Sequence, residues 1–156
     1  MSSRRKAREA VLKALYMSES RGMTVDEAFA EMASCDAEIA GFEDSDEKWW
    51  LMPFALSLDE DGKTYALSLA RMIERNSETL NGYIIPVLHN WDFKRVSRID
   101  RIILWMALTE MLYLFDVPVS VAINEAIELA KKYSSHKSPS FVNGILDTAA
   151  ANMKER

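Results

Sequence analysis

An all-α protein, a bundle of about seven helices, is what this sequence predicts. Apolar residues recur at three- and four-residue spacing along most of the chain, and capping residues stand where the periodic runs begin. Gly and Pro number only 5 and 4 in 156 residues, too few for a turn-rich β architecture. No internal repeat of fixed period is present. The length suits one domain with room for two helical lobes sharing a core. An apolar fraction of 49% supplies enough side chains to fill that core.

The first helix is expected over 4–19. Ala7, Val11, Ala14 and Leu15 form its apolar stripe, with Lys6, Glu9 and Lys13 on the opposite face. Gly22 ends it, and Thr24 with Glu27 makes a capping box for a second helix over 25–34, which turns Ala28, Phe29 and Met32 inward. Residues 36–62 form an acidic, Trp-containing insertion, in which 49–54 (WWLMPF) reads as a short helix or a docked loop. Two helices follow, 63–75 and 77–90, with Pro86 kinking the second or ending it early. A strongly apolar helix over 99–115 sits at the centre. Pro118 opens the next, 118–133, whose inward stripe is Val119, Ile123, Ala126, Ile127 and Ala130, with Glu128 and Lys132 paired outside. Ser138-Pro139 caps a last helix over 139–152 that buries Phe141, Val142, Ile145, Leu146 and Ala149.

The charge is unevenly distributed. The chain is −5 overall, yet residues 1–13 place Arg4, Arg5, Lys6, Arg8 and Lys13 against Glu9 alone, a net +4. Residues 36–62 set nine acids against Lys48, a net −8. Screening over roughly 8 Å lets two such patches act separately. Cations in the first turn of a helix oppose its macrodipole, at a cost of roughly 0.3–1 kcal/mol each. An anionic partner compensates them; a frayed basic tail is the plainer reading.

Other features leave similar choices. Tyr16 lies three turns beyond Arg5 on the same side, either stacking on a base or a partner, or packing on the next helix. Residues 134–138 (SSHKS) precede a helix N-terminus and form a phosphate cradle or a solvated loop. Gly144, mid-helix, is explained best by close approach of a neighbouring helix.

Catalytic patterns are missing. His89 and His136 have no ligand-spaced Cys or His partners, so no metal is expected, and no phosphate loop, dinucleotide motif or serine elbow occurs. Asn124-Glu125 reads as surface. Neither enzyme activity nor a cofactor is implied. Cys35 is the only cysteine, which excludes an intrachain disulfide and fits a cytoplasmic protein. The most apolar stretch, 102–115, is interrupted by Thr109 and Glu110 and is shorter than the roughly 18 residues a membrane span needs. Glu9, Lys13 and Glu19 likewise break any signal-peptide core.

Three stretches together resemble the NusB family of transcription antitermination factors (N-utilization substance B): 4–16 (RRKAREAVLKALY), 90–104 (NWDFKRVSRIDRIIL) with Ala107 and Glu110, and 117–131 (VPVSVAINEAIELAK) followed by 141–147 (FVNGILD). The resemblance covers nearly the whole chain outside 36–62. It implies a compact two-lobed helical bundle, one RNA-binding domain over 1–156. It also implies binding of boxA-type single-stranded RNA together with NusE, a small-subunit ribosomal protein. Through other Nus factors the complex joins elongating RNA polymerase and supports ribosomal RNA transcription. By the same resemblance Arg4, Arg5, Lys6 and Arg8 bind RNA, with Lys137, Ser138 and Phe141 as further candidates, and Tyr16 and Asp100 face NusE. Some members form homodimers. Family members usually carry arginine at Trp105 and an aromatic at Thr109. Fusions to RNA methyltransferases exist, but 156 residues hold no catalytic half.

Two other classes compete: a dimeric protein-interaction scaffold that never touches RNA, and a helix-turn-helix DNA binder. The second lacks a basic recognition helix, since Lys131, Lys132 and Lys137 cluster at a helix end.

Overall fold

The computed structural model describes residues 3–39, 58–89 and 92–154, the side chains of 34–39 excepted. Six α-helices run through them: α1 (Ser3–Arg21), α2 (Val25–Ile39), α3 (Glu60–Ile84), α4 (Arg98–Tyr113), α5 (Val119–Tyr133) and α6 (Ser138–Lys154). Short 3₁₀ turns at Ile85–Val87 and Phe93–Arg95 complete the elements, and no strand occurs among the described residues. The expected helix or loop at 49–54 lies outside the described residues. The chain divides into two compact units, Met1–Arg71 and Met72–Arg156, with the division falling inside α3.

In the first unit α1 packs on α2 around Ala14, Met17, Ala28 and Met32, with Met23 and Phe29 against them. The connection follows local rules. Gly22 takes φ +67°, a conformation that L side chains rarely adopt. The Met23 N–H returns to the Ser18 carbonyl at 3.1 Å, closing the helix end. The capping box forms as expected: Thr24 Oγ1 accepts from the Glu27 N–H at 3.1 Å, and Glu27 Oε2 accepts from the Thr24 N–H at 3.3 Å. α2 then runs five residues past its expected end.

The expected outward face of α1 needs correction. Glu9 and Lys13 are 5% and 2% exposed, so the helix is buried all round from Ala7 to Leu15. Both charged groups have partners within the chain, which burial demands.

The two helices expected at 63–75 and 77–90 are one. Neither Gly nor Pro interrupts the segment near 76, and Asn76 turns its amide back to the Met72 carbonyl at 2.7 Å instead of breaking the helix. Pro86 ends the α-helix at Ile84, sitting in the 3₁₀ turn where its missing N–H costs nothing.

In the second unit α4 is the central element. Ser97 caps it, accepting from the Asp100 N–H at 3.1 Å. Every residue from Ile102 to Met111 is buried. α5 and α6 pack on α4 and on each other. Pro118 is the N-cap of α5 and not its first residue; its carbonyl accepts from both Val121 and Ala122. α5 buries Ala122, Ile123, Ala126, Leu129 and Ala130, but Val119 stands 38% exposed, outside the expected stripe. Glu128 pairs with Lys131 at 3.2 Å, one residue before the expected Lys132. Gly144 is exposed and a Cβ there would meet nothing within 4 Å, so no neighbouring helix requires this glycine.

Candidate nucleic-acid interface

The basic turn of α1 belongs to the first unit. It holds no acidic residue, so nothing within the helix offsets its dipole. The compensation comes from 56 residues away. Asp59, the residue before α3, accepts from Ser3 Oγ at 2.7 Å and from the Gly62 N–H at 2.7 Å. One carboxylate thus caps the start of α3 and tethers the start of α1. The Ser3 hydroxyl, then the Gly62 N–H and the nearby Lys6 charge, hold the Asp59 carboxyl below its ordinary value of 3.8. Gly62 is required by this approach: a Cβ there would stand 2.8 Å from Ser3 Oγ.

Beyond this latch the basic side chains differ in exposure. Arg4 and Arg5 are exposed and Lys6 is half-buried, whereas Arg8 is only 4% exposed. The Arg4 guanidinium carbon lies 4.6 Å from the centroid of the Tyr65 ring, with that of Arg8 at 5.9 Å. Two successive turns of α1 therefore share one aromatic face on α3. Arg8 is the most buried of the four cations expected to bind RNA. Tyr16 is half-buried and engaged with other groups of the chain.

In the second unit, the turn between α5 and α6 is built on Asp100. Its carboxylate accepts from Ser134 Oγ at 2.6 Å and from Ser138 Oγ at 2.9 Å. The hydroxyl of Ser135 lies 3.1 Å from that of Ser138. Asp100 is 8% exposed and Ser138 3%, so both side chains are spent on each other. In the chain by itself the Asp100 carboxylate and the Ser138 hydroxyl therefore hold the turn together. Lys137 and His136 stay exposed, and Phe141 is half-buried. His89 is exposed as well, and among the described residues no three His, Cys, Asp or Glu side chains gather as metal ligands.

Trp105 and Thr109 both belong to the core of the second unit. Trp105 is 7% exposed and donates its indole N–H to Asn81 Oδ1 at 2.7 Å. The Arg101 guanidinium carbon lies 5.1 Å from its ring centroid. Thr109 is fully buried and donates to the Trp105 carbonyl at 2.7 Å, so its hydroxyl is satisfied.

Sequence reasoning misses Asp59, Gly62 and Tyr65. An Asp followed by two further acids is a legible helix start, but here it merges into a longer acidic run. Nothing in the sequence marks Tyr65.

Comparison with known proteins places the chain in context. The model of the NusB family matches residues 5–151. The transcription antitermination protein NusB of Geotalea daltonii is 36% identical over 158 residues, covering 100% of this chain and 99% of its own. That of Myxococcus xanthus is 37% identical over 155 residues, covering 99% of each. Among solved structures, T. maritima NusB superposes with a TM-score of 0.76 at 33% identity, covering 97% of this chain and 92% of its own. A structure of the antitermination factors NusB and NusE in complex with dsRNA has a chain that matches with a TM-score of 0.73 at 22% identity, covering 97% and 98%; that match speaks to the fold alone.

Proposed function

This chain belongs to the NusB family, and we propose that it is a transcription antitermination factor, binding boxA-type single-stranded RNA together with NusE to support ribosomal RNA transcription. The observation that carries the reading is the pair of exposed guanidinium groups, Arg4 and Arg5, beside the half-buried Lys6 on the first turns of α1. The names of the Geotalea and Myxococcus relatives support it.

The chemistry is that of an adaptor and not of an enzyme. Arg4, Arg5 and Lys6 contact phosphates, and Arg8 acts from inside the fold by sharing the Tyr65 ring. Lys137 adds a cation at the turn that Asp100 and Ser138 hold, and the Phe141 ring stands one turn further along α6. Tyr16 contributes to the NusE contact. The finer features belong to the same reading: a single two-lobed domain, a cytoplasmic location, a link to RNA polymerase through other Nus factors, and a homodimer as its RNA-free form. No helix among the described residues is long and apolar enough to cross a membrane.

A salt titration tests the reading. Three phosphate contacts from α1 predict that affinity for a boxA-type single-stranded RNA falls with salt at a log–log slope of about −2, from roughly −0.7 per contact. Lys137, if engaged, steepens it to about −3. A flat response, or equal affinity for an uncharged-backbone analogue of the RNA, overturns the proposal.

A further inference from the structure

The start of α3 does more than open a helix. Asp59 ties down the first residue of α1, Gly62 makes room for that contact, and Tyr65, one turn further, lies under Arg4. We infer that this stretch is a positioning platform for the RNA-binding arginines, with Tyr65 as the residue that orients Arg4.

The physical argument concerns order before binding. A solvent-exposed arginine has many rotamers and loses that freedom when a phosphate fixes it. Contact with an aromatic face removes part of that freedom beforehand without using up the N–H donors of the guanidinium. The ring also moderates repulsion. Arg4 and Arg8 bring two like charges to one face, and the negative quadrupole of Tyr65 attracts both. The lower latch acts on the backbone. With Ser3 held by Asp59, the first turn of α1 keeps its helical form even though its own charges oppose the dipole. Neither Asp59 nor Tyr65 need touch RNA in this scheme.

The inference rests on the RNA-binding reading, and the experiment separates the two. A fluorescently labelled boxA-type single-stranded RNA is titrated against the full chain by anisotropy, with wild type, Tyr65→Phe, Tyr65→Leu, Arg4→Ala and the Tyr65→Leu/Arg4→Ala double variant. Tyr65→Leu is expected to weaken binding about three- to fivefold, the scale of an exposed cation–π contact. Tyr65→Phe keeps the ring and should bind as wild type does. On the Arg4→Ala background, Tyr65→Leu should add little, because the arginine it orients is gone. Wild-type affinity in Tyr65→Leu, or fully additive losses in the double variant, overturns the platform while leaving RNA binding intact. A wild-type chain that does not bind the RNA overturns both. Should circular dichroism show that Tyr65→Leu is unfolded, Gly62→Ala takes its place: the added Cβ displaces Ser3 from Asp59 without removing core surface. It is expected to weaken binding about twofold to threefold at unchanged helix content, and unchanged affinity there counts against the platform.

Discussion

At the start of α1 two arginines, Arg4 and Arg5, stand exposed, and the anchoring is done by a carboxylate and an aromatic ring at the start of α3. At the turn before α6 the anchoring carboxylate, Asp100, also comes from another helix. It takes two hydroxyls of the turn, however, those of Ser134 and Ser138, and a lysine is left outside. Both segments look alike in sequence, with basic and hydroxyl residues at a helix N-terminus. They differ because Ser138 is buried and Ser3 is not. A buried hydroxyl must find an acceptor within the fold, whereas a surface one is free to serve as a tether. The first site is therefore mainly a cationic surface and the second mainly a structural joint.

The sharpest way to break that contrast is at the joint. Asp100→Ala removes the acceptor of two hydroxyl groups, one of them buried. It is expected to cost about 1.5–3 kcal/mol, the scale of a hydrogen bond to a charged group, with the Ser134 and Ser135 hydroxyls still within reach of Ser138. Asp100→Asn keeps one acceptor oxygen and should cost about half as much. Urea unfolding measures both, with the slope unchanged if only the native state is affected. An Asp100→Ala variant as stable as wild type would mean that the turn is not held from α4 at all.

The RNA arm of the comparison comes next. Removing one phosphate-binding cation in roughly 0.1 M salt weakens single-strand binding about fivefold, by the same counterion arithmetic. Arg4→Ala/Arg5→Ala is then expected to lose about 25-fold and to flatten the salt slope by about 1.4, whereas Lys137→Ala loses about fivefold and flattens it by about 0.7. Lys137→Ala keeps wild-type stability, since that side chain is exposed, whereas the arginine pair also gives up the Arg4 contact with the Tyr65 ring. The outcome that reverses the assignment is a larger loss at Lys137 than at the arginine pair.

How far the sequence reveals these regions follows from the range of the forces involved. Local signals are read well. The Thr24–Glu27 box, the Gly22 stop, the Pro86 end and the apolar centre of α4 all depend on residues within one or two turns. Where distant elements decide, the reading fails. Periodicity puts Glu9 and Lys13 on an outer face because it registers only one stripe, and it cannot register a helix covered on every side. Asn76 is ambiguous for a different reason: its side chain either ends a helix or bonds back into it, and only the surrounding fold chooses. Of the candidate site, Arg4 and Arg5 are legible because charge needs no partner to be seen. The burial of Arg8 and Ser138, and the role of Asp59 and Tyr65, depend on contacts across 34 to 61 positions of sequence.

The smallest expected effect is the pH dependence of the α1 latch, and it bears directly on how the two anchors differ. The Asp59 carboxyl is held below 3.8, chiefly by the Ser3 hydroxyl and the Gly62 N–H, so the folded chain binds its proton less readily than the unfolded one. The sign follows. A depressed folded value gives stability that is fully present above the ordinary carboxylate range and is lost as pH falls below it through the lowered value. Because Asp59 is an exposed group, the effect is modest. Asp59→Asn should therefore lower the melting temperature slightly at neutral pH, and the gap from wild type should close as acid protonates the native carboxylate. RNA binding gives the second readout: loosening the latch frees Ser3, so the variant should bind more weakly at neutral pH even though no cation has been removed. A melting-temperature gap that stays constant from neutral pH to about pH 3 would assign the stabilisation to the capping geometry alone, with no contribution from the charge.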